Sequence, residues 1–274
     1  MTTTTPTYLL GADTSERQRM LMQGEMFRPE AQRLLDRCEL PPGGRAIDIG
    51  CGPLGVMDLL ADRVGPTGTV VGLDAEPRML DLAAQTAAER GLANVKLLTA
   101  DAAATGLPRD SFDLAHTRLV LMNVPDADAV LDEMVALVRP GGTVAVQDVD
   151  WVSRICEPPH PAWDRIKSLV DQLWRTNGMD VRLGRRLPGM LRRRGLTDLG
   201  VDAVARVFQE GDAYRLLLAD RAELCRPALL EHGLTAAAEL DDIIGELREH
   251  LSRPDTIVLH ATLFQAWGRK PVRP

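Results

Sequence analysis

The sequence predicts an α/β fold, a mostly parallel sheet with helices on both faces. Three observations carry that expectation. Short apolar runs alternate with amphipathic helical patterns five times between Arg45 and Val149, the rhythm of parallel strands joined by helical crossovers. The first run, Arg45-Ala46-Ile47-Asp48-Ile49, passes directly into the glycine turn Gly50-Cys51-Gly52-Pro53-Leu54-Gly55, and the second run ends on a carboxylate, Asp74. Glycine and proline punctuate the crossovers at Gly65-Pro66-Thr67-Gly68, Gly91 and Arg139-Pro140-Gly141-Gly142. Right-handed crossovers then place the strand C-termini on one edge, where such sheets take their ligands.

Taken in order, the threonine-rich residues 1–7 offer no apolar face and are expected to be disordered. From Asp13 to Cys38 the pattern is helical, with capping types Asp13, Thr14 and Ser15 at its start and a second helix after Pro29. Pro41-Pro42-Gly43-Gly44 breaks the chain. The core then reads as strand Arg45–Ile49, helix Leu54–Val64, strand Thr69–Leu73, helix Glu76–Arg90, strand Val95–Thr99, strand Ser111–His116, helix Asp126–Val138 and strand Thr143–Val149. After Asp150 the period changes. Residues 151–195 read as helical and rich in Trp, Arg and Pro, 200–208 as a sixth strand, about 212–252 as helices, and Thr256–Trp267 as one last strand. The organisation expected is a helical lid over 1–40, a cofactor-binding core over 41–150, substrate-side helical insertions with strand six over 151–255, and the final strand and tail over 256–274.

Composition narrows the function. The chain has 274 residues, 45% hydrophobic and 26% charged, with a formal net charge of −7. That is ordinary globular composition, and acidity argues against a nucleic-acid backbone as partner. Cys38, Cys51, Cys156 and Cys225 form no CxxC pair, so neither a zinc site nor a disulfide framework is expected. There is no basic-then-apolar leader pattern, and no apolar run reaches the roughly 18 residues of a membrane span. A cytoplasmic protein with no metal and no membrane partner is expected.

The glycine turn satisfies GxGxxG, which by itself suits any adenosine-bearing cofactor, nicotinamide dinucleotides included. Glycines let the backbone approach the ligand, and Asp74 at the tip of the second strand suits two ribose hydroxyls. Two further acids discriminate. Asp48, two residues before Gly50, suits a ligand with an ammonium group and would repel a pyrophosphate. Asp101, in Thr99-Ala100-Asp101-Ala102 at the tip of the third strand, suits an adenine amine, and the next backbone N–H suits a ring nitrogen.

Asp48-Ile49-Gly50-Cys51-Gly52 with Gly55, the acid Asp74, Ala100-Asp101-Ala102 and the turn Arg139-Pro140-Gly141-Gly142 together resemble the class I S-adenosylmethionine-dependent methyltransferases, in their natural-product or quinone-type branch. The resemblance covers roughly residues 28–150 and extends more weakly to the end at Ala266-Trp267-Gly268-Arg269-Lys270. It implies a Rossmann-like sheet of seven strands with an antiparallel last strand, and S-adenosyl-L-methionine as cofactor. It places Asp48 and Gly50 near the methionine moiety, lets the backbone pass at Gly52, and gives the ribose to Asp74 and the adenine to Asp101 and Ala102, with Ala75 and Met79 on the purine face. Pro53-Leu54 departs from the Thr or Gly-Thr of many members; Pro near a helix start is sterically acceptable.

The acceptor side is less legible. His116-Thr117-Arg118 ends the fourth strand and Gln147-Asp148-Val149-Asp150-Trp151 the fifth. His116 is the best general base by chemistry, the alternative being a histidine that orients a loop. Arg118 suits the cofactor carboxylate or an acidic substrate. Asp148 and Asp150 suit a hydroxyl or amine, or are plain loop acids. Tyr8 belongs to a segment resembling lids over the cofactor. The Trp151–Trp174 stretch is an aromatic wall or core, Arg182, Arg185 and Arg186 suit an anion, and Arg192–Arg194 read as a solvated face. No Asn-Pro-Pro-Tyr or Pro-Cys follows strand four, which disfavours amino-group and cytosine carbon-5 methylation of DNA. The reading is methyl transfer to an O or C atom of a small, partly apolar organic molecule, with an NAD(P)-dependent oxidoreductase or a non-catalytic cofactor-binding scaffold as alternatives. Assembly into a homo-oligomer stays open.

Overall fold

The computed structural model describes residues 14–272. Helices α1 (Thr14–Met26) and α2 (Arg28–Asp36) open it. Pro29 does not separate them but sits in the first turn of α2, where its missing N–H has no intrahelical role. The alternating core follows as β1 (Arg45–Ile49), α3 (Met57–Val64), β2 (Thr69–Asp74), α4 (Pro77–Glu89), β3 (Val95–Thr99), β4 (Phe112–Arg118), α5 (Ala127–Leu137) and β5 (Val138–Asp150). The remainder comprises β6 (Ile155–Glu157), α6 (Pro161–Thr176), α7 (Leu183–Arg193), β7 (Thr197–Val204), β8 (Val207–Phe208), α8 (Leu217–Leu224), α9 (Arg226–Glu231), α10 (Ala237–Ser252), β9 (Ile257–Leu259) and β10 (Thr262–Arg269).

Seven strands form the main sheet in the order β3-β2-β1-β4-β5-β10-β7. β1 pairs in parallel with β2 and β4, β2 with β3, and β4 with β5. β10 runs against β5: Lys270 N–H donates to Gly142 O at one end, and Gln147 meets Gln265 further along. The expected seven-stranded, mostly parallel sheet with an antiparallel last strand is therefore what forms. The strand order reverses direction at β1, so right-handed crossovers put α3 and α4 on one face and α5 on the other. The core beneath α2 and α3 joins Leu34, Leu35, Val56, Met57 and Leu60 to Ala46, Leu114 and Ala145 of the sheet, all buried.

Two boundaries differ instructively from the sequence reading. Arg139-Pro140-Gly141-Gly142 does not interrupt a helix–strand junction; it is an irregularity inside β5, since Phe112 pairs Val138 while Leu114 already pairs Thr143. Gly142 tolerates no side chain there, because a Cβ would lie 2.6 Å from Val138 Cγ1 and 2.7 Å from Asp113 O. Arg139 Nε donates to Asp113 Oδ1 at 2.7 Å, and Asp113 Oδ2 accepts the Arg45 N–H at 2.7 Å. This motif ties the N-terminal ends of β1, β4 and β5, opposite the edge formed by the strand C-termini. The second difference is the last strand. Thr256–Trp267 is two strands, β9 and β10, parted at His260-Ala261, and only β10 enters the main sheet. Likewise the 200–208 run divides into β7 and β8.

The chain separates into two compact units. Among the described residues, one holds 14–148, 184–202 and 264–272; the other holds 149–183 and 203–263. The first contains the alternating core. Its last residues brace it: Lys270 Nζ donates to Val135 O and Val138 O, closing the C-terminal end of α5, and to Asp110 Oδ1. The second unit packs α6 against α8 and α10, burying Trp163, Ile166, Val170, Leu173 and Trp174 at helical spacing. It also carries a three-stranded antiparallel sheet, β6-β9-β8, that periodicity in such short strands does not announce. No described helix is long and apolar enough to cross a membrane.

Two glycines test this packing with opposite signs. At Gly200 of β7 an added Cβ would fall 2.0 Å from Trp267 Cζ2, so Gly200→Ala is expected to cost about 1–3 kcal/mol by overpacking. Gly245 is exposed within α10 with open space around it, so Gly245→Ala is expected to stabilise by about 0.5–1 kcal/mol. Urea denaturation of both variants measures each shift.

Candidate functional site

The C-terminal ends of β1, β2 and β4 build a shared edge. β1 ends on Gly50, whose φ of +69° belongs to the left-handed region and whose Cβ, if present, would lie 2.3 Å from Val120 Cγ2. Only glycine fits. Gly50 and Cys51 N–H groups both donate to Leu73 O, carrying the turn along the end of β2. Gly52 N–H then donates to Asp74 Oδ2 at 2.9 Å, while Asp74 Oδ1 accepts the Glu76 N–H at 3.0 Å. Asp74 thus clamps the glycine turn to the start of α4. Burial raises its pKa above 3.8, opposed by the N–H groups of Glu76, Gly52 and Ala75. The carboxylate keeps acceptor capacity beyond these backbone donors.

Behind the turn lies Asp48, 2% exposed. Its Oδ2 accepts the Val56 N–H at 3.0 Å, and its Oδ1 meets His116 Nδ1 at 2.8 Å. Gly55 completes the fit, since a Cβ there would fall 2.1 Å from Asp48 Oδ2. His116 Nε2 faces Gln147 Oε1 at 3.3 Å, and Gln147 Nε2 donates to Gln265 Oε1 at 2.8 Å. A buried chain of hydrogen bonds therefore runs Asp48–His116–Gln147–Gln265 across β1, β4, β5 and β10. His116, expected as a base, is fully buried with both ring nitrogens engaged, so this geometry holds the ring in place rather than presenting it to a ligand.

The end of β4 is strained. Leu119 has φ +58°, costly for a branched side chain and held by two hydrogen bonds: its N–H donates to Gln147 O and its carbonyl accepts from Asn123 Nδ2. Asp148 Oδ2 accepts the Met122 N–H at 3.0 Å in the following turn. Arg118 Nη2 donates to Gly55 O at 3.2 Å; burial acts against its charge, with Asp48, Asp58, Glu25 and Glu30 acting the other way. Helix α1 covers this edge, because a Cβ on Gly52 would lie 2.9 Å from Met20 Cε and one on Gly24 3.7 Å from Arg118 Nη2.

The structure thus gathers Asp48, Gly50, Gly52, Asp74, His116, Arg118 and Asp148 into one unit. Asp101 is exposed at the end of β3, its Oδ1 accepting the Ala103 N–H at 2.8 Å, with Ala102 half-buried after it. Ala75 is exposed and Met79 buried in the first turn of α4. Asp150 is buried and falls in the other unit. Tyr8 lies outside the described residues. Trp151, Trp163 and Trp174 are all buried. Arg182, Arg185 and Arg186 are exposed, whereas Arg194 leaves the expected solvated face to pair with Asp128 and Asp132 at 2.8 Å. Cys51 is no nucleophile: burial, then Asp48 and Asp74, push its thiol well above the usual range. The sequence reading missed Gln265, Val120 and Met20 as parts of this edge. For Gln265 a signal exists, a lone amide inside an apolar strand.

The donor set suits an adenosine-bearing amino-acid cofactor: backbone at the glycine turn, an acid at the β2 tip, an exposed acid at the β3 tip and a buried negative charge behind the turn. Residues 40–180, more than half of the chain, match the family model described as a methyltransferase domain. The chain is 41% identical over 122 residues to nocamycin O-methyltransferase of Saccharothrix syringae, 44% of each chain. It is 41% identical over 110 residues to demethylmenaquinone methyltransferase of a Geobacillus strain, 40% of this chain and 47% of that one. It spans about half the length of these curated relatives. Among solved structures, phosphoethanolamine N-methyltransferase 2 of Haemonchus contortus, bound to phosphomonomethylethanolamine and S-adenosylhomocysteine, superposes with a TM-score of 0.57 at 20% identity, covering 89% of this chain and 53% of that one.

The buried relay has a measurable weight. His116→Phe keeps the ring's bulk but strips the partners from Asp48 Oδ1 and Gln147 Oε1. A loss of about 1–3 kcal/mol in ligand-free stability is expected from the groups left unpaired, read by urea denaturation.

Proposed function

Because the chain belongs to the class I S-adenosylmethionine-dependent methyltransferase family, we propose that it moves a methyl group from S-adenosyl-L-methionine to an oxygen or carbon atom of a small, partly apolar organic molecule of the secondary-metabolite or quinone-like kind. The observation that carries this reading is the clamp of Gly52 and Glu76 N–H groups on Asp74 beside the side-chain-free turn. The relatives named for nocamycin and demethylmenaquinone support the acceptor class. Nothing in the geometry favours a nicotinamide dinucleotide, whose pyrophosphate would meet the buried charge of Asp48.

In this reading Asp74 accepts from the ribose diol, Asp101 and the Ala102 N–H take the adenine edge, and Ala75 and Met79 lie along the purine. Gly50 and Gly52 let the backbone approach the amino-acid end. Asp48 supplies negative charge for an ammonium while its oxygens hold Val56 and His116. When bound, the cofactor supplies an already activated methyl group on a sulfonium sulfur. The protein's work is then alignment and exclusion of water. His116 is a positioning residue that fixes Asp48 and Gln147. Asp148 fixes the turn after β4. Arg118 neutralises carboxylates at the edge, and α1 covers it. A cytoplasmic location fits this chemistry.

Isothermal titration with S-adenosylhomocysteine tests the cofactor reading. Micromolar or tighter binding is expected; Asp74→Ala is expected to weaken it by about 1.5–3 kcal/mol, the worth of hydrogen bonds to a charged group. Absence of binding to the wild-type chain would refute the assignment. The pH dependence has a fixed sign. Protonation of Asp74 removes an acceptor, and burial places its pKa above 3.8, so affinity is flat near neutrality and falls on acidification earlier than an ordinary aspartate would cause. Asp74→Asn is expected to abolish that acid limb.

A further inference from the structure

The second compact unit holds a buried cation without an acidic partner among the described residues. Arg154, 5% exposed, follows the end of β5 by four residues. Its guanidinium carbon lies 3.4 Å from the Trp151 ring centroid, and Trp151 in turn packs against Trp174 at 4.1 Å between centroids. Its Nη2 reaches His260 Nε2 at 3.4 Å, a long contact to a neutral ring whose Nδ1 side is turned to Ala261 O at 3.0 Å. Burial, then the charges of Arg154 and Arg206, lower the His260 pKa to about 3, so this histidine offers Arg154 no negative charge. Arg154 Nε and Trp151 Nε1 are buried N–H donors that find no acceptor among the described residues. The charge that acts on Arg154 is another cation, Arg221, which adds to burial in opposing the guanidinium.

The same unit shows how this fold satisfies a buried arginine when the role is structural. Arg215 is 7% exposed, and its Nη1 donates to both Arg253 O and Thr256 O at 3.1 Å. Arg154 receives no such carbonyls; it receives a flat aromatic platform, a second orphan donor and a neighbouring positive charge. A buried, unpaired cation is costly. A planar oxyanion meets all three needs at once, since the guanidinium fork matches a carboxylate with two parallel hydrogen bonds. The tilted Trp151–Trp174 pair beside it gives the site apolar surroundings.

We propose that Arg154 and Trp151 form the receptor for the carboxylate of an organic acid with an apolar body, aromatic acids included. This anion site stands independently of the methyltransferase reading.

Titration calorimetry of the full chain with 2-naphthoate and its neutral isostere 2-naphthamide tests it. Wild type is expected to bind the acid at least about tenfold more tightly than the amide, the worth of a charged hydrogen bond. Arg154→Met is expected to remove that discrimination, and Arg154→Lys to restore part of it. S-adenosylhomocysteine affinity within twofold of wild type certifies that a variant is folded. Should Arg154→Met fail this criterion, Trp151→Phe keeps a six-membered aromatic face while removing the N–H with the fused five-membered ring, and is expected to weaken the acid several-fold more than the amide. Equal binding of acid and amide, binding of neither, or undiminished discrimination in Arg154→Met or Trp151→Phe overturns the proposal. Acid discrimination without S-adenosylhomocysteine binding would sink the methyltransferase reading and keep the anion site; the converse would do the reverse.

Discussion

The carboxylate of Asp48 is the fixed point of the edge where β1, β2 and β4 end. It sits in a nearly water-free position where an unpaired charge would be intolerable. Each oxygen is therefore committed, one to the Val56 N–H that ends the glycine turn and one to His116 on the adjoining strand. Shifting either partner leaves a buried charge short of a donor, so turn and strand are locked to one another. His116 passes the constraint on through Gln147 to Gln265. Four strands of the main sheet thereby share one polar seam inside an otherwise apolar layer, and a seam of this kind is strongest when every member is satisfied.

Asp48 and Arg154 illustrate opposite treatments of buried charge. Asp48 is satisfied by the fold itself and reads as architecture with a field. Arg154 is left short by the described residues and reads as an invitation to a ligand. The distinction lies in neighbours, not in residue type, as Arg215 shows with its two backbone carbonyls.

Much of the main sheet was legible because each of its signals is local. Gly50, Gly52 and Gly55 announce a turn without side chains, and Asp74 stands where β2 must end. The environment of His116 was not legible: a histidine at a strand tip looks the same whether it faces solvent or a carboxylate 68 residues away in the chain, and only the pairing of β1 with β4 decides. The Thr256–Trp267 run misled for a related reason. Its alternation continues across His260-Ala261, so apolar pattern alone sees one strand where the chain leaves a small sheet for a large one. Arg154 was invisible among the other arginines, since the lack of a partner is a three-dimensional property.

That strand break also makes the two units inseparable as genetic modules. The main sheet takes its β7 and β10 from stretches lying beyond the first and second passages of the chain through the other unit. During synthesis, therefore, the alternating core emerges early but waits for Gln265 to receive the Gln147 amide and for Lys270 to close the end of α5. A fragment cut after β5 would carry every cofactor motif and still present a raw sheet edge where β10 belongs. Variation in the second unit is therefore confined to its own loops, because exchanging that unit whole would mean cutting and rejoining the main sheet.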